Sequence, residues 1–125
     1  MTTIILPWPD SALSPNASKR HWRSRQAAKV LAKNIGYCAA YPMRADAPQG
    51  KLHLTVKLHP PDYRRRDMDN MLASLKPHLV GVCQALDIDD VWIRRVTLEW
   101  GSVETSGQVM VRLEVIEWTG AKVTV

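Results

Sequence analysis

Between Lys51 and His59 apolar and polar residues alternate without a break, with Leu52, Leu54, Val56 and Leu58 on one side and Lys51, His53, Thr55, Lys57 and His59 on the other. A period of two suits a strand with one face in a core and one in water, and suits no helix. Shortly afterwards the period changes. Met68, Leu72, Leu75, Leu79, Val82 and Leu86 step by four and three, the spacing of a helix with one buried stripe. Pro77 lies inside this stripe, where it removes a backbone donor and crowds the preceding turn, so a kink is expected there. A strand feeding such a helix calls for a layered fold, helix on sheet.

The flanking sequence adds two elements on each side. Thr3 to Leu6 is a short β-branched run closed by Pro7 and Pro9, read as a first strand entering a stiff loop that Pro15 and Asn16 prolong. From Ser24 to Tyr41, Ala27, Leu31, Ile35 and Cys38 recur at helical spacing and predict a first helix with that stripe facing the core. Pro42, Asp46, Pro48 and Gly50 mark a linker. Val91 to Trp100 and Val109 to Glu117 read as two final strands, with Gly101 and Gly107 bracketing a hairpin and Val109, Val111, Leu113 and Val115 facing inward. The order β-α-β-α-β-β predicts one domain over residues 1–125: a four-stranded mixed sheet with two helices packed on it, an α/β or α+β sandwich.

The chain has 125 residues, 46% of them hydrophobic, enough for a core of its own. Its formal charge of +5 favours a polyanionic partner. No apolar run reaches bilayer length and the first ten residues lack a basic, long-apolar leader, so a cytoplasmic protein without a membrane partner is expected. Cys38 and Cys83 lack metal or disulfide spacing and read as reduced, small core residues.

The segment richest in chemistry is PPDYRRRDMDN, residues 60–70. In extended chain, side chains two apart point the same way, so Asp67 and Asp69 can converge on one hard cation if they stand at the entrance to the second helix. A nuclease site needs a third oxygen donor. Asp87, Asp89 and Asp90 offer one beyond the far end of that helix, yet a helix of some twenty residues spans ~30 Å. The third ligand must therefore return on the following strand or loop, or come from a dimer partner. Arg64, Arg65 and Arg66 suit bidentate phosphate contacts, and Lys76 suits a point charge near a developing oxyanion. Lys19, Arg20 and Arg23 extend the candidate DNA contacts around Trp22, the one tryptophan read as a candidate for base stacking rather than core packing. Plainer readings stand beside these. Asp67 suits a helix cap, the arginines a solvated charge run, Lys76 a surface lysine, and residues 87–90 a turn. His53 and His59 share a strand face but do not make a convincing metal pair.

RRRDMDN, together with the opening ILPWP and SPN, a Lys-Pro on the helix and the DD before a strand, resembles the RusA family of Holliday junction resolvases of bacteria and their phages. The resemblance covers most of the chain. It implies a homodimeric, Mg2+-dependent endodeoxyribonuclease that makes paired symmetric cuts in four-way DNA junctions during recombination and repair. It further implies Asp67, Asp69 and Asp90 as metal ligands, with Asp89 as the neighbour that could replace Asp90, and Lys76 as the catalytic lysine. Lys76 departs from the family spacing by three residues, with Ala73 at the expected place, nearly one helical turn away. The residues alone leave two other readings open: a non-catalytic nucleic-acid binder, and a metal-dependent ribonuclease.

Overall fold

The computed structural model describes residues 1–15 and 22–118. Strand β1 spans Thr2–Pro7, helix α1 Trp22–Ala40, β2 Leu52–His59, α2 Met68–Leu86, β3 Ile93–Trp100 and β4 Gln108–Val115. Short 3-10 turns cover Ser11–Leu13, Tyr41–Asp46 and Asp90–Trp92. The protein is an α+β fold with a four-stranded mixed sheet and two helices. No helix among the described residues is long and apolar enough to cross a membrane.

The sheet order is β1-β4-β2-β3, with β4 antiparallel to both neighbours and β2 parallel to β3. The expected hairpin between the last two strands therefore does not form. The β2–α2–β3 unit is a parallel crossover, which leaves β3 at the sheet edge and only the far side of β2 open to a further strand. The 101–107 connection crosses the end of β2, tied by Gly101 N–H to the Leu58 carbonyl at 2.7 Å and by Glu104 N–H to the Pro60 carbonyl at 3.0 Å. β4 thereby fills the slot between β1 and β2.

The apolar face of β2 lies as expected, with Leu52, Leu54, Val56 and Leu58 buried against Val109, Val111 and Leu113 of β4 and Ile4 and Leu6 of β1, but Thr55 on the other face is buried too, 2% exposed, rather than in water. Val115, expected inside, is instead largely exposed at the end of its strand. From α2, Leu75, Val82 and Leu86 are buried, with Met71 and Ala85 beside them. The helix is continuous through Pro77.

α1 turns the opposite way from its apolar pattern. Leu31 is 59% exposed, Ala27 and Cys38 are exposed, and the buried residues are Ala32, Gly36 and Ala40. Cys83 is half-buried, so neither thiol is a core residue in full. The reason is the closeness of the two helices. A methyl group at Gly36 would overlap the His78 carbonyl, and one at Gly81 would overlap the Lys33 carbonyl. Such an approach needs small residues at the crossing, and hydrophobic periodicity does not register them. Gly36→Ala or Gly81→Ala should cost about 2 kcal/mol or more in denaturant unfolding, since the obstacle is backbone and cannot rotate away.

His78 sits in the same crossing, 2% exposed, with Nδ1 making no hydrogen bond among the described residues. Burial lowers its pKa below 6.5, and the nearby Ser74 carbonyl offsets this only in part. Above pH 6.5 the ring is neutral in folded and unfolded chains alike. As pH falls from 6.5 towards the depressed folded value, the unfolded chain takes up a proton that the folded one refuses, and stability is lost, by at most about 1.4 kcal/mol per pH unit. Unfolding curves between pH 7 and pH 5 should show this slope reduced in His78→Gln.

Candidate functional site

The loop from Pro60 to Arg66 is organised by Asp62, a residue the sequence reading passed over. Its carboxylate accepts the Arg64 N–H at 3.0 Å, pairs with Arg64 Nε at 3.2 Å and with Arg66 Nη2 at 2.8 Å. The Arg64 backbone donor leads in holding this carboxyl below its usual pKa, aided by the two guanidinium groups. An acid two and four positions ahead of two arginines was the available signal. Arg66 also donates to the Asp62 and Arg64 carbonyls, and its guanidinium lies 5.3 Å from the centre of the Trp8 ring. With its side chain 13% exposed, Arg66 braces the loop. Arg64 is exposed but paired; Arg65 is exposed and has no ion pair among the described residues. All three line a pocket of about 450 Å³ with Trp8, Asp10 and Asn70.

The chain leaves this loop at Asp67, whose extended backbone (φ −89°, ψ 127°) ends the loop and whose side chain accepts the Asp69 N–H at 2.8 Å. Asp67 is thus an N-cap. It stands at the loop–helix junction, where a metal-binding pair was expected. Asp69, one residue into α2, is exposed, and its carboxylate makes no hydrogen bond or ion pair among the described residues. Lys76 is exposed seven residues later, close to two turns, and so occupies the same side of α2. Ala73 and Lys76 border one shared concavity, so the three-residue offset keeps the lysine on the solvent side.

At the other end of α2, Asp87 adopts the left-handed conformation (φ 54°, ψ 46°) and its N–H reaches the Cys83 and Gln84 carbonyls, which turns the chain into the 3-10 segment. Asp89 caps that segment, accepting Val91 N–H at 3.0 Å, while the Asp90 carboxylate makes no hydrogen bond among the described residues. Asp89, Asp90 and Lys76 line one pocket of about 450 Å³ with Leu79, Val80 and Cys83. Burial raises the Cys83 thiol to about 11, with Asp90 and Asp89 adding to the shift.

α2 has nineteen residues, about 28 Å of rise, and runs between the end of β2 and the start of β3. Asp67 and Asp69 therefore stand at one end and Asp90 at the other. Among the described residues, no group of three or more His, Cys, Asp or Glu side chains gathers to hold a metal. One chain brings together the arginine loop with Asp67 and Asp69, and separately Lys76 with Asp89 and Asp90.

His53 and His59 have partners of their own. His53 bridges Glu114 at 3.3 Å and Thr97 Oγ1 at 2.7 Å, and His59 Nδ1 is 2.9 Å from the Ser102 carbonyl. Trp22 and Arg23 lie in the first turn of α1 rather than in a loop, both exposed; Lys19 and Arg20 lie outside the described residues.

The cap separates structural from chemical roles at Asp67. Asp67→Ala should lower stability by about 1 kcal/mol, whereas Asp67→Asn, which keeps the acceptor, should change it little, as read from thermal unfolding.

No family model matches the sequence. An uncharacterized protein of Xylella fastidiosa (strain Temecula1 / ATCC 700964) is 36% identical over 119 residues, covering 90% of this chain and 76% of that protein. Identity of that extent over most of the chain is homology, and the chain belongs to the same family as the Xylella fastidiosa protein.

Proposed function

We propose that this chain is a subunit of a magnesium-dependent, structure-specific endodeoxyribonuclease that cuts four-way DNA junctions in pairs, acting in the cytoplasm of a bacterium or on behalf of its phage. The observation that carries this reading is Asp69, an exposed carboxylate without a partner among the described residues, at the helix start directly after an arginine-lined pocket. The resemblance to RusA supplies the substrate.

The donor set suits a hard cation. Magnesium binds through one or two carboxylates together with waters and phosphate oxygens, and Asp67 and Asp69 fit that requirement beside a phosphate-binding loop. Bound there, the ion would supply Lewis acidity and an activated water. Arg65, with Arg64 once released from Asp62, grips the backbone, Arg66 keeps the loop in shape, and Lys76 offsets developing negative charge. Asp90 joins as the third ligand from a second copy. Two α2 helices packed antiparallel about a twofold axis near their midpoints would set Asp69 of each against Asp90 of the other. Val80, 48% exposed near that midpoint beside Leu79 and Cys83, supports such a contact. A twofold pair also matches the approximate symmetry of a four-way junction.

The caps formed by Asp67 and Asp89 favour a second reading, a nucleic-acid binder in which the acids serve the helices alone. A labelled junction incubated with magnesium or EDTA separates the two, and an RNA substrate in parallel tests the ribonuclease alternative. Asp69→Asn should abolish cutting while preserving binding in EDTA. Asp69→Asn co-refolded with Asp90→Asn should regain single-strand nicking, because mixed dimers keep one intact composite site. Cutting by Asp69→Asn alone would defeat the assignment, and an inactive mixture would defeat the shared site.

A further inference from the structure

Between α1 and α2 lies a concavity of about 320 Å³ whose rim carries Arg25 and Lys29 of α1 and Lys76 of α2, over a floor that includes Leu13, Ala73 and Pro77. Among the described residues no acidic side chain lines it. None of the three cations makes an ion pair or hydrogen bond among the described residues. Arg25 and Lys29 are four apart, on successive turns of one helix face. Like charges converging on a concavity with an apolar floor raise one another's potential and attract an anion.

The position of this concavity gives it a direction. The arginine pocket is bounded on α2 by Asn70, Met71 and Ser74 and on the N-terminal side by Ser11 and Ser14. The α1–α2 concavity is bounded by the next turns, Ala73, Lys76 and Val80, and by Leu13 and Pro15. The two thus adjoin along α2, with Asp69 at the helix start. From Asn70 to Lys76 the rise is about 9 Å, a few nucleotides of one strand.

We propose that Arg25, Lys29 and Lys76 form a second phosphate station, which holds the nucleic-acid backbone a few nucleotides beyond the arginine loop and draws the strand across Asp69. The inference rests on the reading of the protein as a nucleic-acid enzyme and adds a binding site on α1 to it. The station is electrostatic and indifferent to base sequence. It supplies what the paired arginines of the loop lack: cations with no internal partner to surrender.

The test is binding of a fluorescently labelled four-way junction, in EDTA, over a series of salt concentrations. Arg25→Gln with Lys29→Gln should make the slope of log affinity against log salt shallower by about two, one for each lost contact. Arg25→Lys, which keeps the charge, should retain the slope, and so should Arg95→Gln on the opposite face of the sheet. Circular dichroism confirms folding of each variant. An unchanged slope in the double variant, or an equal loss in Arg95→Gln, would overturn the station while leaving the enzymatic reading intact. Absence of salt-dependent junction binding by the unsubstituted protein would overturn both.

Discussion

Where α1 crosses α2, Gly36 faces the His78 carbonyl and Gly81 faces the Lys33 carbonyl, with no side chain between the two backbones. Helices that meet at side-chain distance have room to slide; these do not. Their contact fixes the offset along the axis, and with it the spacing between the cations of α1 and the Asp69–Lys76 side of α2. It also spends the buried side of α1 on small residues, so Val30, Leu31 and Tyr37 are left facing solvent.

The charges near the start of α2 divide their labour. Arg66 is folded inward onto Asp62, two carbonyls and the Trp8 ring, and gives the loop its shape. Arg65 has no such obligation, and Arg64 holds a surface ion pair of the kind that contributes little and yields easily to a competing phosphate. The acids split likewise: Asp67 and Asp89 each hold a backbone N–H through one carboxylate oxygen, while Asp69 and Asp90 have no partner among the described residues.

Patterning made β2 and α2 legible because their buried faces are built from large aliphatic side chains at regular intervals. The same logic chose the wrong face of α1, whose buried side is Ala32, Gly36 and Ala40. The final hairpin failed for a different reason: Gly101 and Gly107 mark a turn correctly, but a turn says nothing about which strand the next one pairs with, and the parallel β2–β3 crossover had already claimed that choice. The junction role of Asp67 was readable from its position before a helical stripe. Asp62 leaves only a weaker signal, two arginines two and four positions later, because its loop has no periodicity to reinforce it. The separation of Asp69 from Asp90 was legible in helix length alone, since nineteen helical residues lie between the loop and the 3-10 segment.

The place of β4 in the sheet has a consequence for how the molecule comes to exist. Of the described strands β4 comes last in sequence, yet it lies inside the sheet, hydrogen-bonded to β1, the first, and to β2. Until it emerges from the ribosome, β1 has no neighbour to pair with and Val56 and Leu58 have no sheet partner on that side. Most of the polypeptide must therefore be synthesised before the core can close, and the nascent chain waits with its aliphatic strands open. Ordering across so long a sequence separation is slow. A chain interrupted in the 101–107 connection would leave β1 and that side of β2 unpaired, with aliphatic surface open to aggregation.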